Sequence, residues 1–177
     1  MPLVFVYGTL MRAGANHSVL ARLGGTFAGY ATTREPWTLV DLGPYPALVR
    51  ARDGAPAATT RVTGEVWTID DRALRELDAF EGCPELYTRE RIAVLVESTS
   101  DDERTGDDAR RGGAPARRDL TPRDVRAFVY LLAGRPPASA RVIASGRYTA
   151  AGTPLPDGAA PAALTRSTKR RPRRRRP

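Results

Sequence analysis

A chain of 177 residues, 41% of them hydrophobic, is long enough for one domain with a proper core. A single cysteine and a single histidine exclude an internal disulfide framework and the usual clustered zinc sites, and make a reducing compartment the default. The formal net charge is +8, yet from Gly158 onward there are eight basic residues, Arg166 to Arg176, and no acidic one, so the excess sits in the tail and the rest of the chain is neutral.

The apolar start PLVFVY is too short for a signal sequence and lacks a basic leader. No stretch approaches the ~20 apolar residues of a membrane helix, so the expectation is a soluble, cytoplasmic chain. Leu3 to Tyr7 reads as a buried strand that breaks into Gly8-Thr9. A helix follows over HSVLARL (17–23), with Asn16 at its N-cap and Gly24-Gly25 as its stop. TFAGYAT (26–32), WTLVDL (37–42), PALVR (46–50) and VTGEVWTI (62–69) read as strands. A second helix, DDRALRELDAF (70–80), has an acidic first turn and sets Leu74, Leu77 and Phe80 on one face, with Pro84 just beyond its end.

RIAVLVE (91–97) and RAFVYLL (126–132) are the last strands expected. They would form a hairpin but for residues 98–119, a polar, Gly-containing segment rich in charge of both signs and read as a disordered insertion. Residues 151–177, Ala/Pro-rich and then TKRRPRRRRP, are read as a disordered tail, which leaves 1–150 as the domain. There is no internal repeat. Many strands with two helices favour an α+β domain on a small curved or closed sheet.

Two places carry candidate chemistry. A strand that ends in Tyr7-Gly8-Thr9-Leu10 exposes backbone N–H groups, and glycine lets a ligand approach them, which suits a carboxylate or a developing oxyanion. The alternative is a glycine that merely bends the chain. Glu81 falls where the second helix ends, against the negative end of its dipole, with Phe80 and Leu86 placed to desolvate it. Both effects raise a carboxyl pKa, as a general base near neutral pH requires. A solvent-exposed Glu at a fraying helix end is the other reading, and the residues alone leave both open. Cys83 with His17 is a conceivable nucleophile and base, but a small buried thiol and a packing imidazole are the commoner roles. Glu65 in GEVW is either a paired strand residue or a second polar group in a cavity. Glu85 reads as solvated, while Tyr45 and Tyr87 are candidates to line a pocket and Arg89 to begin a strand.

Taken in order, FVYGTLMRAGANHSVL, GPYPALV, GEVWTID, LDAFEGCPELYTRERI and AFVYLL resemble the gamma-glutamylcyclotransferase superfamily. Within it they are most similar to the gamma-glutamylamine cyclotransferase type and to the cyclotransferase that removes a gamma-glutamyl protecting group in butirosin biosynthesis. The likeness covers residues 3–97 and 126–150, and ASGRYTA (144–150) looks like the terminal segment, with Tyr148 where another aromatic is common. The resemblance implies a small mixed β-barrel with flanking helices and no cofactor or metal. It also implies a substrate-holding backbone loop at Tyr7, Gly8, Thr9 and Leu10, and a catalytic acid/base at Glu81. The reaction implied is cyclisation of a gamma-glutamyl amide to 5-oxoproline with release of an amine. Insertion 98–119 and the basic tail depart from the pattern.

Two rival readings stand beside it. One is a non-catalytic domain that binds a small ligand in the same cavity. The other is nucleic-acid association through RRPRRRR, which without interleaved aromatics amounts to weak, non-specific polyanion binding.

Overall fold

A computed structural model describes residues 1–50, 60–97 and 122–149. The insertion at 98–119 and the tail at 151–177 lie outside the described residues. Among the described residues, eight strands and two helices follow in the order β1 (Leu3–Val6), α1 (His17–Arg22), β2 (Thr26–Thr33), β3 (Thr38–Asp41), β4 (Pro46–Val49), β5 (Thr63–Thr68), α2 (Asp71–Phe80), β6 (Tyr87–Val96), β7 (Arg123–Leu132) and β8 (Arg141–Val142). The sheet runs β1-β5-β2-β6-β7-β4-β3-β8, and a further parallel pairing of β1 with β7, at Val4 and Phe128, closes the first five strands into a mixed barrel.

The period of two along β1 separates two cores. Phe5 and Tyr7 join Val66, Ala31, Val94 and Val129, which come from the other four barrel strands and therefore fill the interior. Val4 and Val6 face the other way, into a cluster with Val19 and Leu20 of α1 and Leu74 and Leu77 of α2. The helices are thus held against the outside of the barrel by their apolar stripes.

Helix α2 begins where Asp70 accepts a hydrogen bond from the N–H of Ala73 at 2.7 Å. It ends in a Schellman closure. The N–H of Gly82 donates to Ala79 at 3.2 Å and that of Cys83 to Asp78 at 2.9 Å. Gly82 has φ of +65°, a conformation that costs glycine little, and Glu81 is left as the final capping residue of the helix.

Strand β7 is the hinge of the topology. One of its edges carries β6 along the full register from Tyr87–Leu132 to Val96–Arg123. The other edge is shared: β1 pairs at Phe128, and β4 pairs farther along, at Leu131. The two neighbours must diverge between these points, and the cleft described below opens there.

Expected and observed strands agree closely, with two corrections. β6 starts at Tyr87 and β7 at Arg123, ahead of the apolar runs that mark them in the sequence. Their charged leading residues find partners instead of breaking the ladder; Arg50, for example, pairs with Glu90. The two-residue β8 has no sequence signal of its own. Among the described residues no helix is long and apolar enough to cross a membrane.

Because α2 carries Glu81, its anchors set the stability of the site. Leu77→Ala, at a fully buried position, should cost about 2–5 kcal/mol, and Asp70→Ala about 1 kcal/mol. Urea denaturation should show both as lower midpoints with an unchanged slope.

Candidate active site

A cleft of about 520 Å³, counted to its open mouth, brings together the two chain-distant places singled out in the sequence. Tyr7, Gly8, Thr9 and Leu10 form one wall, Phe80 and Glu81 another, and Tyr45, Pro46 and Tyr87 close the remaining side. Asn16 and Tyr130 complete the lining.

The loop leaving β1 is tightly wound. The N–H of Met11 donates to the Gly8 carbonyl at 3.1 Å, and the N–H of Asn16 to the Thr9 carbonyl at 2.8 Å. Among the described residues, nothing accepts a hydrogen bond from the N–H groups of Gly8, Thr9 or Leu10. Amides left unpaired beside a cavity are an anion-binding arrangement. Gly8 is required by close approach: a Cβ there would lie 2.6 Å from Cγ of Pro46. The strand therefore breaks at glycine because β4 passes directly against it.

Tyr7 lines the cleft with its ring, but its hydroxyl is fully engaged elsewhere. It donates to the Tyr130 carbonyl at 2.7 Å and accepts from the N–H of Leu48 at 3.1 Å. The phenol thus spans the gap where β1 and β4 part on β7. Burial drives its pKa well above the ordinary tyrosine value. Tyr87 is likewise committed, donating to the Pro46 carbonyl at 3.1 Å, with its ring 6.3 Å from that of Tyr45. Tyr45 is half-buried, and its pKa is raised by burial first and by the Glu81 charge second.

Glu81 is the one ionisable carboxyl in the lining. None of the described residues gives its side chain a hydrogen bond or an ion pair. The residue keeps partial access to solvent, yet the protein atoms packed around its carboxyl push the pKa from 4.5 up to about 8. Desolvation by burial is the cause. A carboxyl in that state can hold or release a proton close to neutrality.

The other sequence candidates are not gathered into this cleft. Cys83 lies outside the lining, and burial, then the charges of Asp78 and Glu81, push its thiol up to about 12, far from a reactive thiolate. His17 packs against Trp67, with ring centroids 5.3 Å apart, and does not line the cleft. Glu85 is exposed. Glu65 is a paired strand residue, buried, opposite Val6 on β1. Arg89 belongs to β6 and pairs with Asp78, which also accepts from the Tyr130 hydroxyl at 2.9 Å.

Asn16 corrects the capping expectation. It occupies the N-cap position of α1, but its side chain makes no capping bond. Its Nδ2 donates instead to Thr9 Oγ1 at 3.0 Å, binding the helix start to the amide loop. No local signal separates that role from a cap. Nothing local marks Tyr130, which sits within the apolar run of β7.

The family described as gamma-glutamyl cyclotransferase, AIG2-like, matches residues 4–150. The chain is 37% identical over 157 residues to the gamma-glutamylaminecyclotransferase of Homo sapiens, covering 86% of this chain and 92% of that protein. It is 44% identical over 99 residues to the gamma-glutamylaminecyclotransferase of Bos taurus, a match covering 53% of this chain and only 56% of the relative's length. The crystal structure of an AIG2-like protein from Mus musculus superposes with a TM-score of 0.63 at 28% identity, covering 86% of this chain and 90% of that one. With the family match running through nearly all the described residues, the chain belongs to the gamma-glutamyl cyclotransferase, AIG2-like family.

Proposed function

We propose that this cyclotransferase closes a gamma-glutamyl amide into 5-oxoproline and frees an amine, with Glu81 as the proton carrier and the amides of Gly8, Thr9 and Leu10 as the anchor for the glutamyl part. The observation that carries the proposal is the meeting, in one cleft, of a carboxyl of raised pKa with the amides of Gly8, Thr9 and Leu10, neither of which has a hydrogen-bond partner among the described residues.

The chemistry makes modest demands. The substrate's α-amine attacks its own γ-carbonyl carbon, so the enzyme needs chiefly to hold a folded, near-attack shape. On binding, the substrate carries an α-ammonium that must lose protons before its nitrogen can bond. Glu81 takes a proton from that nitrogen and hands one to the nitrogen that leaves. The ammonium becomes the ring N–H and loses two protons, and the departing amide nitrogen becomes an ammonium and gains two. The sum is zero, so one carboxyl can serve both halves of the step. The unbonded amides are suited to the substrate carboxylate or to the oxyanion of the tetrahedral intermediate. Aromatic walls at Tyr45, Phe80 and Tyr87 exclude water around the reacting atoms.

Release of 5-oxoproline from a panel of gamma-glutamyl compounds tests the activity, and Glu81→Gln tests the residue. The variant keeps the size and removes the base, and kcat should fall at least ~100-fold. In the wild type, kcat/KM should climb about tenfold per pH unit below pH 8, the limb set by the free carboxyl, and then level off. A variant that turns over at wild-type rate would leave a binding domain or another base as the better reading.

The same raised pKa has a consequence for stability. The folded state holds the Glu81 proton more tightly than the unfolded chain, so the contribution of this group to stability is full below pH 4.5 and is lost as pH rises towards 8. Glu81→Gln removes that decline. Its stability relative to wild type, followed by melting temperature, should rise between pH 5 and 8 by a gain on the order of 1–3 kcal/mol. An equal difference at all pH values would contradict the burial of an ionisable acid at this position.

A further inference from the structure

We propose that Glu65, which lines no part of the cleft, is a positioning residue that fixes the amide loop, a role that rests on the reading of that loop given above. Its placement on β5 is the first reason. Glu65 stands opposite Val6, the last residue of β1, so its backbone lies beside the point where the loop departs. Its side chain reaches the point where the loop returns. Oε2 accepts the N–H of Arg12 at 3.0 Å. One residue thus staples both ends of the segment that holds Gly8, Thr9 and Leu10.

The energetics agree with that role. Glu65 is 5% exposed, and a carboxylate so buried must be satisfied by donors. It has the Arg12 N–H, the Trp67 indole Nε1 at 3.0 Å, and the Arg12 guanidinium at 3.6 Å from Oε1. The guanidinium is itself held in place, 3.7 Å over the Phe27 ring and hydrogen-bonded to the Tyr30 hydroxyl at 2.6 Å. A strand residue that served only its own sheet would have no need of a backbone N–H across a loop. The opposite flank of the loop is tied by Asn16 to Thr9, so Glu65 and Asn16 hold it from two sides. Binding sites made of amides lose affinity steeply when the amides shift by a fraction of an ångström, and a staple of this kind sets their spacing.

The test is a titration of the full chain with 5-oxoproline, followed by amide NMR. In the wild type, the amide signals of Gly8, Thr9 and Leu10 should shift on saturation. In Glu65→Ala the Arg12 amide should lose its bonded chemical shift, and the dissociation constant should rise at least ~10-fold, the size expected for one charge-assisted hydrogen bond. Glu65→Gln keeps an acceptor and should fall between, at roughly two- to five-fold; should Glu65→Ala fail to fold, this variant carries the comparison. Thr33→Val removes a buried side-chain hydrogen bond, to the N–H of Val62, that touches neither the loop nor the cleft lining, and should bind within about two-fold of wild type. In turnover, KM should rise for the Glu65 variants while the acid limb of kcat/KM keeps its position. Wild-type affinity in Glu65 variants, or an equal loss in Thr33→Val, overturns the staple and leaves the cleft reading intact. A wild type whose loop amides do not respond to 5-oxoproline overturns the cleft reading and the staple together.

Discussion

An acid that no described residue pairs, Glu81 at the end of α2, is the constraint on which this reading of the site depends. Proteins bury carboxylates where donors can satisfy them, as Glu65 shows with its three. Glu81 has none among the described residues, and its pKa rises accordingly. Holding such a group costs stability, and the cost is tolerated where the group has work to do. The Schellman end of α2, the buried Leu77 and the Asp70 cap all serve to keep it there.

The second half of the site follows from strand topology. Strand β7 offers a single edge to two parallel neighbours, β1 and β4, and these separate between Phe128 and Leu131. A gap in a sheet exposes backbone groups that need partners. The Tyr7 hydroxyl fills part of that need by bonding Tyr130 and Leu48, and the chain beyond it peels away as a loop in which the amides of Gly8, Thr9 and Leu10 have no acceptor among the described residues. The cleft is therefore a product of the fold's least regular point, while the closed barrel supplies the rigid wall beneath it.

How much of this could be read in the residues depended on range. The end of α2 was legible because everything that makes it is local: an acidic first turn, Leu74 and Leu77 at helical spacing, then Gly82. Gly8 was legible as a break, but its cause was not, since Pro46 lies far along the chain. The Tyr7 hydroxyl bonds a carbonyl 123 residues away, and no pattern near YGTL announces that. Asn16 shows the hazard of local reasoning, for a residue type that caps helices sits at the cap position and bonds Thr9 instead. The sequence leaves Glu65 between two readings because alternation along a strand says which face a side chain takes, not what waits there. The sequence places Arg89 at a strand start but does not mark the other charged residues that open β6 and β7, because partners such as Arg50, which pairs with Glu90, come from other elements.

The most direct measurement is the titration of the Glu81 side chain itself, followed by the carboxyl ¹³C shift in the ligand-free protein. The account predicts a midpoint near 8, displaced from 4.5 by burial. A midpoint in the range of an ordinary solvated glutamate would contradict it, because a carboxyl that is fully ionised and hydrated at neutral pH is not the proton carrier described here.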